Sequence, residues 1–360
     1  MSGRTIHVIY GEDSCAMARR LLEASDATGQ IRADAHIVLK PNLAVARPAH
    51  EGATTHTEIV EGIVLHLKDC GVSNITIAEG SWIGDSTERA FRVIGLDKLA
   101  KKYGLTLLDL KKDKALSVDT PIGPIQVCHT PLEADCLINL PVLKGHCQTV
   151  MTCALKNLKG CIPDKEKRRF HSLGLTKPIA ALASILRPHL TLVDSLCGDL
   201  NFEEGGNPVK TDRLLLGSDP VQMDAYCCAL LGLDTSEVAY LPLAQQYGAG
   251  RMEWKPEDII SLNQPAAPVE ARADGRLVRE LTRNVVQRSA CSACFANLTR
   301  ALYQYREQTG KNYPSLIAIG QEYQEESPDC LGIGRCCHGA KRHVPGCPPN
   351  AADILRELMK

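Results

Sequence analysis

Six of the chain's 16 cysteines stand at or beyond residue 291, and four of them have the spacing of a metal centre. Cys291 and Cys294 form a C-x-x-C pair, "CSAC", ahead of the helical stretch "FANLTRALYQYREQTG". Two thiolates at that spacing can address one metal centre. Cys336 and Cys347 lie in a glycine-rich, proline-terminated loop between the strand-like "SLIAIG" and a last helix, "NAADILREL". Glycines let backbone N–H groups approach sulfur closely, as the loop around an iron–sulfur core requires. Pro348 and Pro349 suit a helix start, where a missing N–H costs little, and that N-terminus favours nearby negative charge. The pattern predicts a four-iron, four-sulfur cluster on Cys291, Cys294, Cys336 and Cys347. Two other readings stay open. Structural zinc ordinarily uses two C-x-x-C knuckles, whereas the second pair here is ten residues apart. The thiols could also bind no metal. Cys330 and Cys337 are spare, and either could replace Cys336.

A second constellation is cationic. Lys40 and Asn42, Glu79, Lys144 with His146, and Asp194 all fall near the ends of strand-like runs, where open parallel sheets bind ligands. Thr55 and His56 open a helix whose N-terminus suits an anion. Lys156 and Lys159 are three apart and share a helix face, with Asn157 beside them. The stretch "DKEKRRFH" reads as an exposed, mixed-charge loop leading to His171. Together these residues predict a site for a small phosphate- or carboxylate-bearing substrate, with His56, His146, His171 and Lys156 for catalysis. A lone Lys or Asp at a strand end is ordinarily just solvated, so the case rests on the group. Cys147, Cys153 and Cys161, near His146 and His171, match no standard metal motif. Cys15, Cys70, Cys128, Cys136, Cys197, Cys227 and Cys228 read as small core residues.

These residues need a scaffold. "RTIHVIYG", "AHIVLKPNL", "NITIAEGS", "LTLLDL" and "ADCLINLPVLKGH" read as strands alternating with glycine-bounded helices. That order predicts an α/β fold, a mainly parallel sheet flanked by helices. "NQPAAPVE", residues 263–270, is the best linker. It divides an α/β core, 1–262, from a smaller C-terminal Cys-rich α/β unit, 270–360.

Bulk composition excludes several classes. Apolar content is 44%, charged content 23% and net charge −1, those of a globular protein without a field for nucleic acid or anionic membrane. No apolar run is long enough to span a bilayer, and the opening "MSGRTIHVIYGED" does not look like a secretory signal. The expectation is a cytoplasmic protein, whose thiols stay reduced. Phosphate-loop, nucleophile-elbow and zinc-protease motifs are missing. Four Phe, nine Tyr and two Trp give no stacking platform for single strands or flavin.

The chain resembles the family called domain of unknown function 362. The matching stretches are "VLKPNL", "TTHTEIVEGIV", "ITIAEGS", "ADCLINLPVLKGH", "ALKNLKGCIPDKEKRRFH", "LTLVDS" and "GSDPVQMDA". The resemblance implies iron–sulfur binding, since many members are described so, and the closing Gly-Cys-Pro-Pro is similar to their cluster loop. The expectation is an oxidoreductase passing electrons between a ferredoxin-like carrier, the cluster and the anionic substrate. Its rivals are a non-redox lyase or isomerase with a structural metal, and a non-catalytic cluster-bearing sensor or scaffold.

Overall fold

A computed structural model describes residues 5–29, 31–267, 269, 271–273 and 275–360. An eight-stranded sheet runs in the order Ile259–Ser261, Ile6–Tyr10, Pro208–Gly217, Leu190–Asp199, Cys136–Leu140, Ile37–Pro41, Ile75–Glu79, Thr106–Asp109. Pro208–Gly217 pairs antiparallel with both its neighbours; the other pairings are parallel. The expected mainly parallel α/β sheet is therefore present. Its central strands are buried along their whole length, which explains why "IVLKP" and "CLINL" are nearly continuous apolar runs rather than alternating ones.

Two apolar layers cover the sheet. Helices Ser14–Ser25, Thr57–Asp69, Thr87–Ile94 and Leu96–Tyr103 supply one, through residues such as Leu21, Ile63, Phe91 and Leu99. Thr176–Ile185, Pro220–Leu230 and Tyr240–Gln246 supply the other, through Ile179, Met223 and Leu241. Helix ends follow local chemistry. Ser86 accepts from Arg89 N–H to start one helix, and Gly95 ends it with φ at 85°. Asp219 caps Pro220–Leu230, with Pro220 at its first position.

The C-terminal unit has its own parallel sheet, Val285–Gln287, Ile317–Ile319, Leu331–Ile333 and Arg342–Val344. Helices Ser292–Thr309 and Ala351–Leu358 pack on it around Phe295, Leu298 and Ile354. Phe202 reaches into this core from the large unit. In the connection, Ala271 packs on the large unit and Ala273 N–H donates to Leu231. Pro268 and Glu270 of the expected linker lie outside the described residues, as does Asp274. Among the described residues, no helix is long and apolar enough to cross a membrane.

Candidate functional site

The carboxyl ends of three adjacent parallel strands meet at Lys40, Glu79 and Leu140. Lys40 is inside its strand rather than beyond it, and its ammonium is fully engaged. Nζ donates to Glu79 Oε2 at 2.7 Å, Asn157 Oδ1 at 3.0 Å and Pro41 O at 3.0 Å. Asn157 Nδ2 reaches Asn139 Oδ1, and Asn139 Nδ2 holds Ala154 O. The sheet edge is thereby tied to the turn that follows in sequence, Ala154–Cys161. Gly160 sits so close to the Lys40–Glu79 pair that a Cβ there would collide with both. That contact accounts for the glycine in "ALKNLKG".

Lys144 opens a short hairpin, Lys144–His146 with Val150–Thr152. Its Nζ donates to Ala53 O at 2.5 Å, Glu203 O at 2.8 Å and Asn42 Oδ1 at 3.3 Å, and burial brings its pKa down to about 8. The expected exposed loop "DKEKRRF" is instead the helix Asp164–Ser172, burying Glu166, Lys167, Phe170 and His171. Lys167 Nζ donates to Gly80 O, Ser81 O and Asp164 Oδ1. Mixed charge concealed that role: the lysine is buried because three oxygens receive it.

These elements enclose a cavity of about 660 Å³, including its open mouth. Of the expected residues, Lys40, Asn42, Glu79, Lys144, Lys156, Asn157, Lys159 and His171 line it. Lys156 differs from its neighbours: its Nζ has no hydrogen bond or ion pair with any described residue. Burial draws it down to about 7, opposed chiefly by Glu203. Lys159 is pushed well below the usual lysine range by burial and by Lys156 and Lys167, and its Nζ lies 3.4 Å from His171 Nε2. His171 is driven down by burial and by Lys159 and Lys156. Its Nε2 accepts from Ser292 N–H at 3.4 Å, so the neutral ring carries its proton on Nδ1.

Four other expected residues stand outside the cavity lining. Thr55 Oγ1 bridges Asn42 N–H and Leu140 O. His56 pairs with buried Asp194, which accepts from its Nδ1 and its N–H, both at 2.8 Å. Burial opposes protonation of that ring, but Asp194 outweighs it and raises the pKa to about 10. The pair fixes the start of Thr57–Asp69; Asp194 lies mid-strand, not at a strand end. His146 Nδ1 accepts from Gln148 and Thr149 N–H, leaving Nε2 to face Glu203 Oε1 at 3.1 Å without hydrogen-bond alignment. Cys153 and Cys161 are buried core residues, and Cys70 is exposed rather than core.

Besides Lys167, three contributors escaped the sequence reading. Glu203 and Thr152 line the cavity, and Asp224 accepts from Ala154 and Leu155 N–H to cap the turn bearing Lys156. Only the Asp in "GSDPVQMDA" had a visible signal, its place in a motif; Glu203 and Thr152 arrive from loop and hairpin without periodicity.

The four cysteines converge as well. Cys291, Cys294, Cys336 and Cys347 line one hollow, with Gly334, Gly346, Arg168 and Gln324. Cys291 is the N-cap of Ser292–Thr309, so Cys294 falls in the first turn. Burial raises the Cys291 thiol to about 11, with Cys336 and Cys347 adding to the rise and Lys159 and Arg168 easing it. Cys336 Sγ receives Gln324 Nε2 at 3.5 Å. Cys337 faces away, buried beside Ala318 and Tyr323 and donating to Ala318 O. Among the described residues, no three His, Cys, Asp or Glu side chains are grouped closely enough for a single metal ion. Cys291, Ser292 and Ala293 also line the lysine cavity. One short segment thus forms a wall of both spaces.

Several known proteins are similar to this chain. A thylakoid-associated protein of Synechocystis sp. is 24% identical over 245 residues, covering 65% of this chain and 74% of that protein. Among solved structures, the lactate racemase apoprotein from Thermoanaerobacterium thermosaccharolyticum has a TM-score of 0.44 at 13% identity, over 65% of this chain and 59% of that one. A Thermotoga maritima protein gives 0.35 at 11% identity, over 51% of each chain. The chain therefore spans less than two thirds of either solved relative. Residues 37–229, more than half of the sequence, match the family described as Domain of unknown function (DUF362), and the chain belongs to that family.

Proposed function

We propose that the chain is an iron–sulfur oxidoreductase, in which Cys291, Cys294, Cys336 and Cys347 hold a four-iron cluster and a small anionic substrate occupies the lysine cavity. The observation that carries this reading is the shared wall: Cys291 lines both spaces. Electron tunnelling needs its two ends close together, and a wall shared by both spaces supports that.

The donor set fits the group. A single zinc draws four ligands onto one point at about 2.3 Å each. A four-iron core spreads its thiolates over separate irons, as cysteines around a hollow would be. Gly334 and Gly346 bring backbone to its edge, with φ of 84° and 135°. The positive end of the helix Ser292–Thr309 favours the negative charge of the thiolates. Clustered thiols with raised pKa release protons on taking up metal, so loading weakens as pH falls. When bound, the cluster supplies one-electron chemistry at a potential set by its charge, its hydrogen bonds and its exposure. The chain's own residues do the rest. Lys156 and Lys159 donate hydrogen bonds to the substrate anion, and His171, between Lys159 and Ser292, moves a proton at Nε2. All 16 cysteines are free, which suits a reducing compartment, and we place the protein in the cytoplasm with a ferredoxin-like carrier as partner.

The test is an anaerobic preparation assayed for iron and acid-labile sulfide. The expected result is about four irons per chain and a visible band that dithionite bleaches. Replacing any of Cys291, Cys294, Cys336 or Cys347 by Ala should lower both contents, while Cys330→Ala and Cys337→Ala retain them. A colourless protein carrying one zinc would overturn the reading.

A further inference from the structure

We infer that the substrate of the lysine cavity is a small carbonyl acid, such as a 2-oxo carboxylate, captured as a reversible imine on Lys156. This rests on the anionic-site reading above and narrows it to a substrate class.

The inference starts from how the amines are used. Five lysines line the cavity: Lys40, Lys144, Lys156, Lys159 and Lys167. Lys40, Lys144 and Lys167 each place three donors on protein oxygens, which leaves them no proton or lone pair for a ligand. Lys156 has no such partner. Its turn is held rigidly by Asp224 and Asn139, so the amine is positioned although its tip is unengaged. A half-buried amine beside other cations gives up its proton more readily than a free lysine and is then nucleophilic. Lys159, three residues on, lines the same cavity and donates hydrogen bonds to the substrate's carboxylate.

Two further groups line the same cavity with hydrogen-bonding capacity to spare. Thr152 Oγ1 is buried without a hydrogen bond, and Glu203 Oε1 makes none either, facing His146 Nε2 at 3.1 Å without alignment. Glu203 is also the carboxylate whose charge bears most on Lys156. A carbonyl compound gives each a role. The Lys156 Nζ lone pair attacks the carbonyl carbon, and the carbonyl π pair moves to oxygen, where Thr152 donates a hydrogen bond. Glu203 carries the two N–H protons in turn to that oxygen: the first gives the carbinolamine hydroxyl, and the second lets it leave as water while the nitrogen lone pair forms the C=N bond. Amine and carbonyl become imine and water, with no net change in protons or electrons.

The experiment uses holoprotein purified without oxygen, treated with glyoxylate or pyruvate and cyanoborohydride, followed by peptide mass spectrometry. Oxalate, an anion without an electrophilic carbonyl, serves as competitor and its binding is measured by calorimetry. Saturable labelling at Lys156, suppressed by oxalate and absent in Lys156→Arg, is expected. Lys156→Met provides a second variant should the arginine fail to fit. Oxalate binding with no label on Lys156, or label spread over exposed lysines, would overturn the imine and leave the anionic site standing. Loss of both binding and labelling would overturn the anionic site itself.

Discussion

Two groups of lysines around one cavity differ in how their amines are used. At the sheet edge, Lys40 and Lys144 are among the largest fully buried side chains, and every donor has an oxygen. In the turn Ala154–Cys161, Lys156 and Lys159 face the same space with almost nothing to bind. The first group assembles the fold; the second is left available to a ligand. Oxygens around an ammonium temper the effect of burial without cancelling it: Lys144, with three, is lowered to about 8, and Lys156, with none, to about 7.

The largest expected effect comes from breaking the satisfied group. Lys40→Ala leaves Glu79 buried and unpaired, and urea unfolding should show a loss of about 3–5 kcal/mol. An unchanged midpoint would mean that the pair carries no structural weight. Lys156→Met should by contrast change stability by no more than about 0.5 kcal/mol, because it removes a half-buried amine without a protein partner, while abolishing oxalate binding. The pH dependence sharpens the contrast. The folded-state pKa of Lys156, about 7, is below the unfolded value of about 10.4. The unfolded chain then holds more protons in that window, so wild-type stability should rise relative to Lys156→Met as pH climbs from about 7 towards 10.

His56 should show the opposite slope. Its pKa is raised to about 10, so its contribution is fully present below about 6.5 and is lost as pH rises through about 10. Thermal melts of His56→Gln against wild type should therefore converge at high pH, with oxalate binding intact throughout. Binding lost in that variant would bring His56 back to the site. The smallest effect belongs to Cys337→Ala: about 1 kcal/mol from a buried thiol, with iron content unaltered, read from a melt and a metal assay on one sample.

Much of this arrangement was legible in the sequence, for definite reasons. Continuous apolar runs bounded by glycine revealed the buried parallel strands, and Lys40, Glu79 and Lys144 emerged because strand ends are where such sheets leave polar groups. The Cys spacing picked out the residues that line one hollow. Composition misled at "DKEKRRF", since nothing in a charge run indicates that Gly80 and Ser81 carbonyls await Lys167. His56 and Asp194 carried the right residue types but serve a helix start. Glu203 and Thr152 gained their place from loop geometry that no spacing encodes, and the shared wall at Cys291 exists only once the two units are packed.

That wall is the centre of the account, and the electron paramagnetic resonance of dithionite-reduced protein tests it most directly. A cluster signal that shifts when oxalate is added to wild type, and stays fixed in Lys156→Met, is the predicted result. A protein that binds oxalate with an unchanged signal, or gives no cluster signal at all, would contradict it.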